Sequence, residues 1–367
     1  MTVSRRLRIA YTLEQCWHRV PGGTAVAAIG MAHALKERGD ISVIGVAAAH
    51  RGPPLAPFVP TVDVKHLPLP RLALYEAWHR LRAPRVERVT GEVDVIHATT
   101  LAVPPKSRPL VVTVHDLAWL KAPEHFTARG VRFFNRGLEL ALGDADLVLC
   151  PSEATKRDCL AAGWRPEKVR VVPLGVAAQP VHESDVAKTL ARYGLERPYV
   201  LWTGTVEPRK NLRGLLDAWA AIDTAHDLVL VGPEGWNEDL GSRLAASGGS
   251  VRRLGFVPEA DLGPLYAGAA AFCFPSFTEG FGFPVLEAMS HGAPVVTSRG
   301  TSTEELAGDA AVLVDPGDAG SIAEGLRSVL EDEALARKLA DVGPERAALY
   351  SWQATAEKVA DAYAEVA

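Results

Sequence analysis

The chain has 367 residues, 48% of them hydrophobic and 23% charged, with 32 Gly and 26 Pro. That length holds about two domains of ordinary size, and the composition excludes a disordered chain, a collagen and a coiled coil. A formal net charge of −5 argues against a dedicated nucleic-acid binder. Cys16, Cys150, Cys159 and Cys273 show no CxxC spacing, so neither a zinc ribbon nor a disulfide scaffold is indicated and a reducing, cytoplasmic setting fits.

The first apolar run, LRIAYTL (7–13), is too short and too quickly interrupted for a signal peptide. No window of about 18 uncharged apolar residues exists to span a membrane. Further strand-like runs follow at ISVIGVA (41–47), VDVIHA (93–98), LVVTVHD (110–116), LVLCPS (147–152) and VRVVPLG (169–175). Helical patterns lie between many of them, as at 24–39 and 133–142. Near-continuous apolar strands alternating with helices predict a parallel, doubly wound sheet covered on both faces.

The stretch 177–185 is polar and turn-prone and reads as a linker. The alternation then restarts with YVLWTG (199–204), LVLVGP (228–233), VRRLGFV (251–257), AAFCFPS (270–276), PVVTS (294–298) and AVLVDP (311–316), with helix starts at Pro258-Glu259, Pro284 and Asp318. The fold class expected is α/β, with two doubly wound Rossmann-like domains, 1–178 and 179–351, facing each other across a cleft. A last helix, 352–367, packs back on the first domain. Ligands of such sheets bind at the carboxyl ends of the strands.

Residues 275–296 read PSFTEGFGFPVLEAMSHGAPVV, a strand, a Gly-containing loop and a helix beginning near Pro284. A helix start offers backbone amides and the positive end of its dipole to an anion. Glu279 stands in the loop and Glu287 one turn inside the helix, and a carboxylate suits sugar and ribose hydroxyls. The alternative is a helix cap and a solvated charge, but the pair is embedded in a long specific string. In WTGTVEPRKNLRGLL (202–216), Arg209 and Lys210 follow a strand ending at Gly204, and Asn211 caps the next helix. A planar fork beside a point charge suits a diphosphate. His115-Asp116 ends a strand of the first half, and Gly22-Gly23 lies between the first strand and first helix, where backbone can approach a ligand closely.

These residues, with Pro151-Ser152-Glu153 and Glu305 to Ala311, resemble the retaining nucleotide-sugar glycosyltransferases of the GT-B fold, in the family-four group that includes bacterial mannosyltransferases. The likeness runs over essentially the whole chain. It implies that Arg209 and Lys210 hold the donor diphosphate, with the backbone of Phe281, Gly282 and Phe283 assisting. It gives Glu279 the donor-sugar hydroxyls, Glu287 the ribose diol and His115 a contact to the donor sugar. Gly22, Gly23 and Gly204 would shape the donor site, and Phe256-Val257 would meet the base. Thr205 stands where some members carry an Arg.

The activity implied is transfer of a hexose, mannose favoured, with retention, to a glycan, lipid-linked or small-molecule acceptor. The donor would be GDP-mannose or a UDP- or dTDP-hexose, without a cofactor. No metal is expected, because fixed cations replace it, and the one DxD match, Asp144-Ala145-Asp146, reads as a helix-to-strand turn. A nucleotide-sugar epimerase of the same fold, or an idle sugar-nucleotide-binding subunit, are the alternatives. A dinucleotide oxidoreductase is disfavoured for want of a GxGxxG turn. The segment 71–89 carries five arginines, with Leu74, Trp78 and Leu81 at helical spacing. It is either a basic amphipathic helix for peripheral contact with the inner face of a membrane or a domain helix with its apolar face in the core.

Overall fold

In the computed structural model, residues 6–177, 179–235, 241–246 and 249–367 are described. They form two compact units. One comprises the chain up to Gly175 together with Tyr350–Ala367, and the other is Val176–Leu349.

The first unit is built on a seven-stranded parallel sheet of β1 (Leu7–Thr12), β2 (Ile41–Ala47), β3 (Val64–His66), β4 (Val95–Ala98), β5 (Leu110–Thr113), β6 (Leu147–Cys150) and β7 (Val169–Val171), in the order β3-β2-β1-β4-β5-β6-β7. Ile9 pairs with Val43 on one side and Val95 on the other. The central strands are buried on both faces, as expected of apolar runs without alternation. Ile96, Val112 and Val148 meet Trp78, Leu74 and Leu138 in one core. Helix Trp352–Val366 belongs to this unit and packs on helix Gly22–Arg38. Its Tyr363 hydroxyl lies 2.6 Å from Nδ1 of buried His97 on β4, whose Nε2 lies 2.7 Å from Thr113 Oγ1.

The second unit has a six-stranded parallel sheet of β8 (Tyr199–Thr203), β9 (Asp227–Val231), β10 (Val251–Gly255), β11 (Ala271–Phe274), β12 (Val295–Ser298) and β13 (Ala311–Val314), ordered β10-β9-β8-β11-β12-β13. In each sheet the winding reverses beside its first strand, between β1 and β4 and between β8 and β11. Those reversals open a crevice at the strands' carboxyl ends, where ligands of such sheets bind.

Several local expectations are corrected. Strand β3 has no counterpart among the expected runs. Gly22 and Gly23 are not a free turn: they are the first two residues of helix Gly22–Arg38, after a short 3₁₀ turn at Glu14–Trp17. Gly22 has φ +61°, and a Cβ there would meet no atom within 4 Å, so the opening they offer is retained. The polar stretch 177–185 is not all linker, since helix Glu183–Tyr193 has begun by its end, and Ala178 lies outside the described residues.

The segment 71–89 is not one amphipathic helix. It runs as Arg71–Glu76 and a π-type turn Ala77–Leu81, then stops at Arg82, whose φ is +51°. Arg82 reaches the carbonyls of Trp78, Val103 and Pro104 and the carboxylate of Asp144, which stops the helix there. Leu74 and Trp78 of the stripe enter the unit's own core, while Leu81, past the end of the regular helix, is 76% exposed. Asp146 is held by Lys106 at 2.6 Å and by Leu110 N at 2.9 Å, so both acids of the DxD match are tied to the scaffold. Among the described residues no three His, Cys, Asp or Glu side chains gather as a metal site, and no helix is long and apolar enough to cross a membrane.

Candidate active site

The loops after β8 and β11 carry Arg209, Lys210 and Glu279. β8 ends at Thr203, Gly204 turns with φ +148°, and a 3₁₀ turn Pro208–Lys210 precedes helix Leu212–Ala220. Gly232, after β9, approaches so closely that a Cβ on it would lie 1.9 Å from Gly204 O. Only glycine allows that contact, which fixes the root of the loop.

Asn211 ties the loop down. At φ +55° its Oδ1 accepts from Gly214 N at 3.2 Å, and its Nδ2 donates to Pro275 O at 3.0 Å and Pro316 O at 2.7 Å. Phe277 N donates to Arg209 O at 2.9 Å. The loop after β8 is thereby stitched to the loop after β11, which carries Glu279. Ser302 holds that second loop, its one hydroxyl proton shared between Glu279 O at 2.8 Å and Phe281 O at 2.7 Å. Gly282 turns into helix Phe283–Ser290 with φ +117°, where a Cβ would lie 2.8 Å from Thr303 Cγ2.

The two stitched loops bring Arg209, Lys210 and Glu279 together. Lys210 Nζ donates to Glu279 Oε1 at 2.6 Å and Arg209 Nη1 to Oε2 at 2.7 Å, so each carboxylate oxygen carries a cation. Arg209 Nη2 also pairs with Glu207 Oε1 at 2.8 Å. The Glu279 side chain is only 7% exposed. Burial acts to raise its carboxyl, but the charges and hydrogen bonds of Arg209 and Lys210 outweigh that and hold it at about 2. Burial in turn lowers the Lys210 ammonium, with Glu279 opposing, while the ring of Phe274 lies 4.7 Å from Nζ. The N-cap of the helix after Glu279 is Gly282, not Glu279 itself.

Glu287, one turn into helix Phe283–Ser290, lies apart from those cations in its hydrogen bonding. Its Oε2 accepts from Tyr266 at 2.9 Å, and burial raises its carboxyl, with Tyr266 opposing. Phe256, after β10, is 76% exposed beside buried Val257. Phe281 is buried with its ring edge-on to Phe283 at 5.2 Å.

In the first unit His115 follows β5. Its Nε2 lies 3.0 Å from Thr99 O, so Nε2 carries the proton and Nδ1 is the acceptor. Burial lowers its pKa and keeps the ring neutral. Asp116 Oδ1 accepts from Ala118 N at 3.0 Å and turns the chain into the next helix.

Four residues of these crevices were missed in the sequence. Glu14, almost fully buried after β1, accepts from Ala48 N at 2.7 Å and from His50 Nε2 at 2.9 Å. Ser302, Thr203 and Tyr266 act through hydroxyls that look like ordinary core residues. The Ser at the head of a Ser-Thr-Glu-Glu helix start was the one available signal for Ser302.

Residues 21–179 match the model described as Glycosyltransferase Family 4, and residues 197–332 the one described as Glycosyl transferases group 1. The chain is 33% identical over 280 residues to O-antigen chain mannosyltransferase B of Escherichia coli, covering 73% of this chain and 74% of that protein. The chain belongs to the family-four, group 1 glycosyltransferases. It is also 30% identical over 312 residues to MMP alpha-(1->4)-mannosyltransferase of Mycolicibacterium hassiacum, covering 77% and 73% of the two. Its fold matches a crystal structure of Anabaena HepE in complex with UDP and glucose, with a TM-score of 0.77 at 23% identity over 98% of this chain and all of that one. WaaG, a glycosyltransferase of lipopolysaccharide biosynthesis, matches with a TM-score of 0.70 at 18% identity over 97% and 99%. This family-four member therefore has the GT-B fold and is a retaining nucleotide-sugar glycosyltransferase.

Proposed function

We propose that the protein moves a hexose, mannose in first place, from a nucleoside-diphosphate sugar to a hydroxyl of a glycan, lipid-linked or small-molecule acceptor. The observation that carries this reading is the convergence of Arg209 and Lys210 on one buried carboxylate at the carboxyl end of β8. A guanidinium and an ammonium fixed side by side match a diphosphate, and the positive end of helix Phe283–Ser290 adds to their field. The mannosyltransferase names of two relatives at 30% identity or more support mannose and therefore GDP-mannose. UDP- and dTDP-hexoses remain the competing donors.

Breaking the sugar–phosphate bond places negative charge on the leaving diphosphate, and Arg209 and Lys210 stabilise it as it forms. The bond from the anomeric carbon to the phosphate oxygen breaks. A bond to the acceptor oxygen forms on the same face, and the acceptor proton passes to the departing phosphate. Same-face attack is favoured over a covalent sugar intermediate because Glu279 is a poor nucleophile. Its carboxyl is held at about 2 and both its oxygens are hydrogen-bonded to cations. A carboxylate has about four lone-pair positions, so Glu279 can still accept sugar hydroxyls. Glu287 takes the ribose diol, and the open Nδ1 of His115 accepts a sugar hydroxyl.

A thermal-shift screen of GDP, UDP, dTDP and ADP, followed by assay of the corresponding sugars with a mannose-terminated oligosaccharide, tests the proposal. One nucleotide should raise the melting temperature selectively. Donor turnover that needs no acceptor would point instead to an epimerase, and binding without turnover to an idle subunit. Intact-mass detection of a glycosylated Glu279 would overturn same-face attack.

A further inference from the structure

We infer that Tyr266 is a positioning residue for nucleotide recognition, aiming one oxygen of Glu287 at the ribose hydroxyls. This rests on the nucleotide-sugar reading above and goes beyond it by assigning a residue that does not itself touch the donor.

Tyr266 lies in helix Glu259–Ala267, whose sequence reads as ordinary helix packing. Its ring is fixed: it is 2% exposed, packs edge-on to Phe272 at 5.4 Å and stacks on His291 at 6.0 Å with the planes 8° apart. The hydroxyl stands between two functional segments. It donates to Glu287 Oε2 at 2.9 Å and lies 2.8 Å from Thr203 Oγ1 on the last residue of β8. A phenol has one proton, and the carboxylate takes it, so Thr203 must donate to the tyrosine oxygen. The chain of bonds therefore runs in one direction, from Thr203 through Tyr266 to Glu287.

Two consequences follow from that direction. The carboxylate of Glu287 is fixed in rotation by its Oε2 bond, while its Oε1 has no hydrogen-bond partner among the described residues and stays available as an acceptor. The same hydroxyl is held by Thr203 Oγ1 at 2.8 Å on the end of β8, so its own rotation, and with it the bond to Glu287, is fixed. Without the hydroxyl, Glu287 would keep its place in the helix but lose the bond that orders its carboxylate, and the benefit of contacting a diol would shrink. Phosphate contacts would be unaffected.

The test titrates GDP and UDP, each against its 2′,3′-dideoxy counterpart, on wild type and on Tyr266→Phe, by calorimetry. Tyr266→Phe keeps the ring and its packing. It should weaken the intact nucleotide about tenfold, the effect expected for loss of one hydrogen bond to a charged group, while changing the dideoxy nucleotide less than about twofold. Thr203→Val, which removes only the donor to Tyr266, should show the same selective loss at smaller size. Equal losses on both nucleotides, or no loss on either, would overturn the role of Tyr266 while leaving nucleotide binding intact. Failure of the wild type to take up any nucleotide would instead refute the nucleotide-sugar reading, and the inference with it.

Discussion

Lys210 Nζ lies 2.6 Å from Glu279 Oε1, although the two residues are 69 apart in the chain. The ammonium proposed to hold a diphosphate is thus already partnered, and so is Arg209 on the other carboxylate oxygen. A diphosphate bound as proposed would share these cations with Glu279. The ion pair holds a buried ammonium and a part-buried guanidinium in place, so a donor bound as proposed would add further acceptors rather than fill an empty site.

Glu279→Gln tests that competition. Transfer should fall by two orders of magnitude or more, because a hydroxyl-binding carboxylate is lost. Affinity for the bare nucleoside diphosphate should hold or rise, since the competing charge is gone. The melting temperature without ligand should fall by several degrees, as breaking a buried pair commonly costs about 3–5 kcal/mol. Calorimetry on the variant decides: a large loss of diphosphate affinity would show that Glu279 supports the anion site rather than competing with it.

Arg209→Ala and Lys210→Ala should each weaken the nucleoside diphosphate by about 10–100-fold, the range for losing a charge-assisted contact. Transfer should drop further than binding, because the charge on the leaving group is larger in the transition state. Glu207→Gln should raise the donor KM with a smaller change in kcat, since Glu207 orients Arg209 through the 2.8 Å bridge. Steady-state kinetics on the three variants check the ordering.

The same cluster sets an acid limit on stability. A carboxyl held below its ordinary value contributes stability that is fully present above that value and lost as pH falls through the folded one. For Glu279 the window runs from about 4.5 down to about 2. The shift corresponds to roughly 3 kcal/mol. Denaturant melts of wild type and Glu279→Gln should therefore differ most near neutrality and converge toward pH 2. A difference that stays constant over this range would contradict the depressed carboxyl.

His115→Phe removes the acceptor Nδ1 from the tip of β5 while keeping a ring there. It should lower kcat/KM for the sugar donor by about 10–100-fold, as for loss of a well-placed hydrogen bond in a transition state, and leave nucleoside diphosphate affinity unchanged. An equal loss in both would assign His115 to the nucleotide instead of the sugar.

The sheet strands were legible because fully buried parallel strands read as short apolar runs, and the second unit's six runs overlap β8 to β13. The Arg209-Lys210 and Glu279 motifs stood out only because each is embedded in a long string that resembles the family, since charges at strand ends are ordinarily solvated or helix-capping. What escaped reading depends on contacts between distant segments. β3 is three residues at the sheet edge with two of them exposed, too short to show a period. The helix after Arg71 stops because Arg82 finds the carbonyls of Val103 and Pro104, some 20 residues on. That Glu279 would spend its oxygens on Arg209 and Lys210 required knowing that Asn211 and Phe277 stitch two loops together. Tyr266 was hidden because a tyrosine in an apolar helix face is ordinarily core, and only its hydroxyl partners distinguish it.

The joint between helix Trp352–Val366 and its unit gives a last prediction. Gly175 lies against the start of that helix: a Cβ there would stand 2.3 Å from Trp352 N and 2.7 Å from Ser351 C, both backbone atoms that cannot swing aside. Gly175→Ala should therefore lift the helix start and destabilise the first unit by about 1–3 kcal/mol, as overpacking does. Tyr363→Phe acts at the other end by leaving Nδ1 of buried His97 without its partner, a loss of about 1–3 kcal/mol. Both variants should expose the chain near residue 350 to limited proteolysis, and nucleotide binding, proposed for the other unit, should survive. Unchanged melting temperature and unchanged cleavage for Gly175→Ala would mean that the helix start accommodates a methyl group, and that its seat on the first unit is looser than this packing requires.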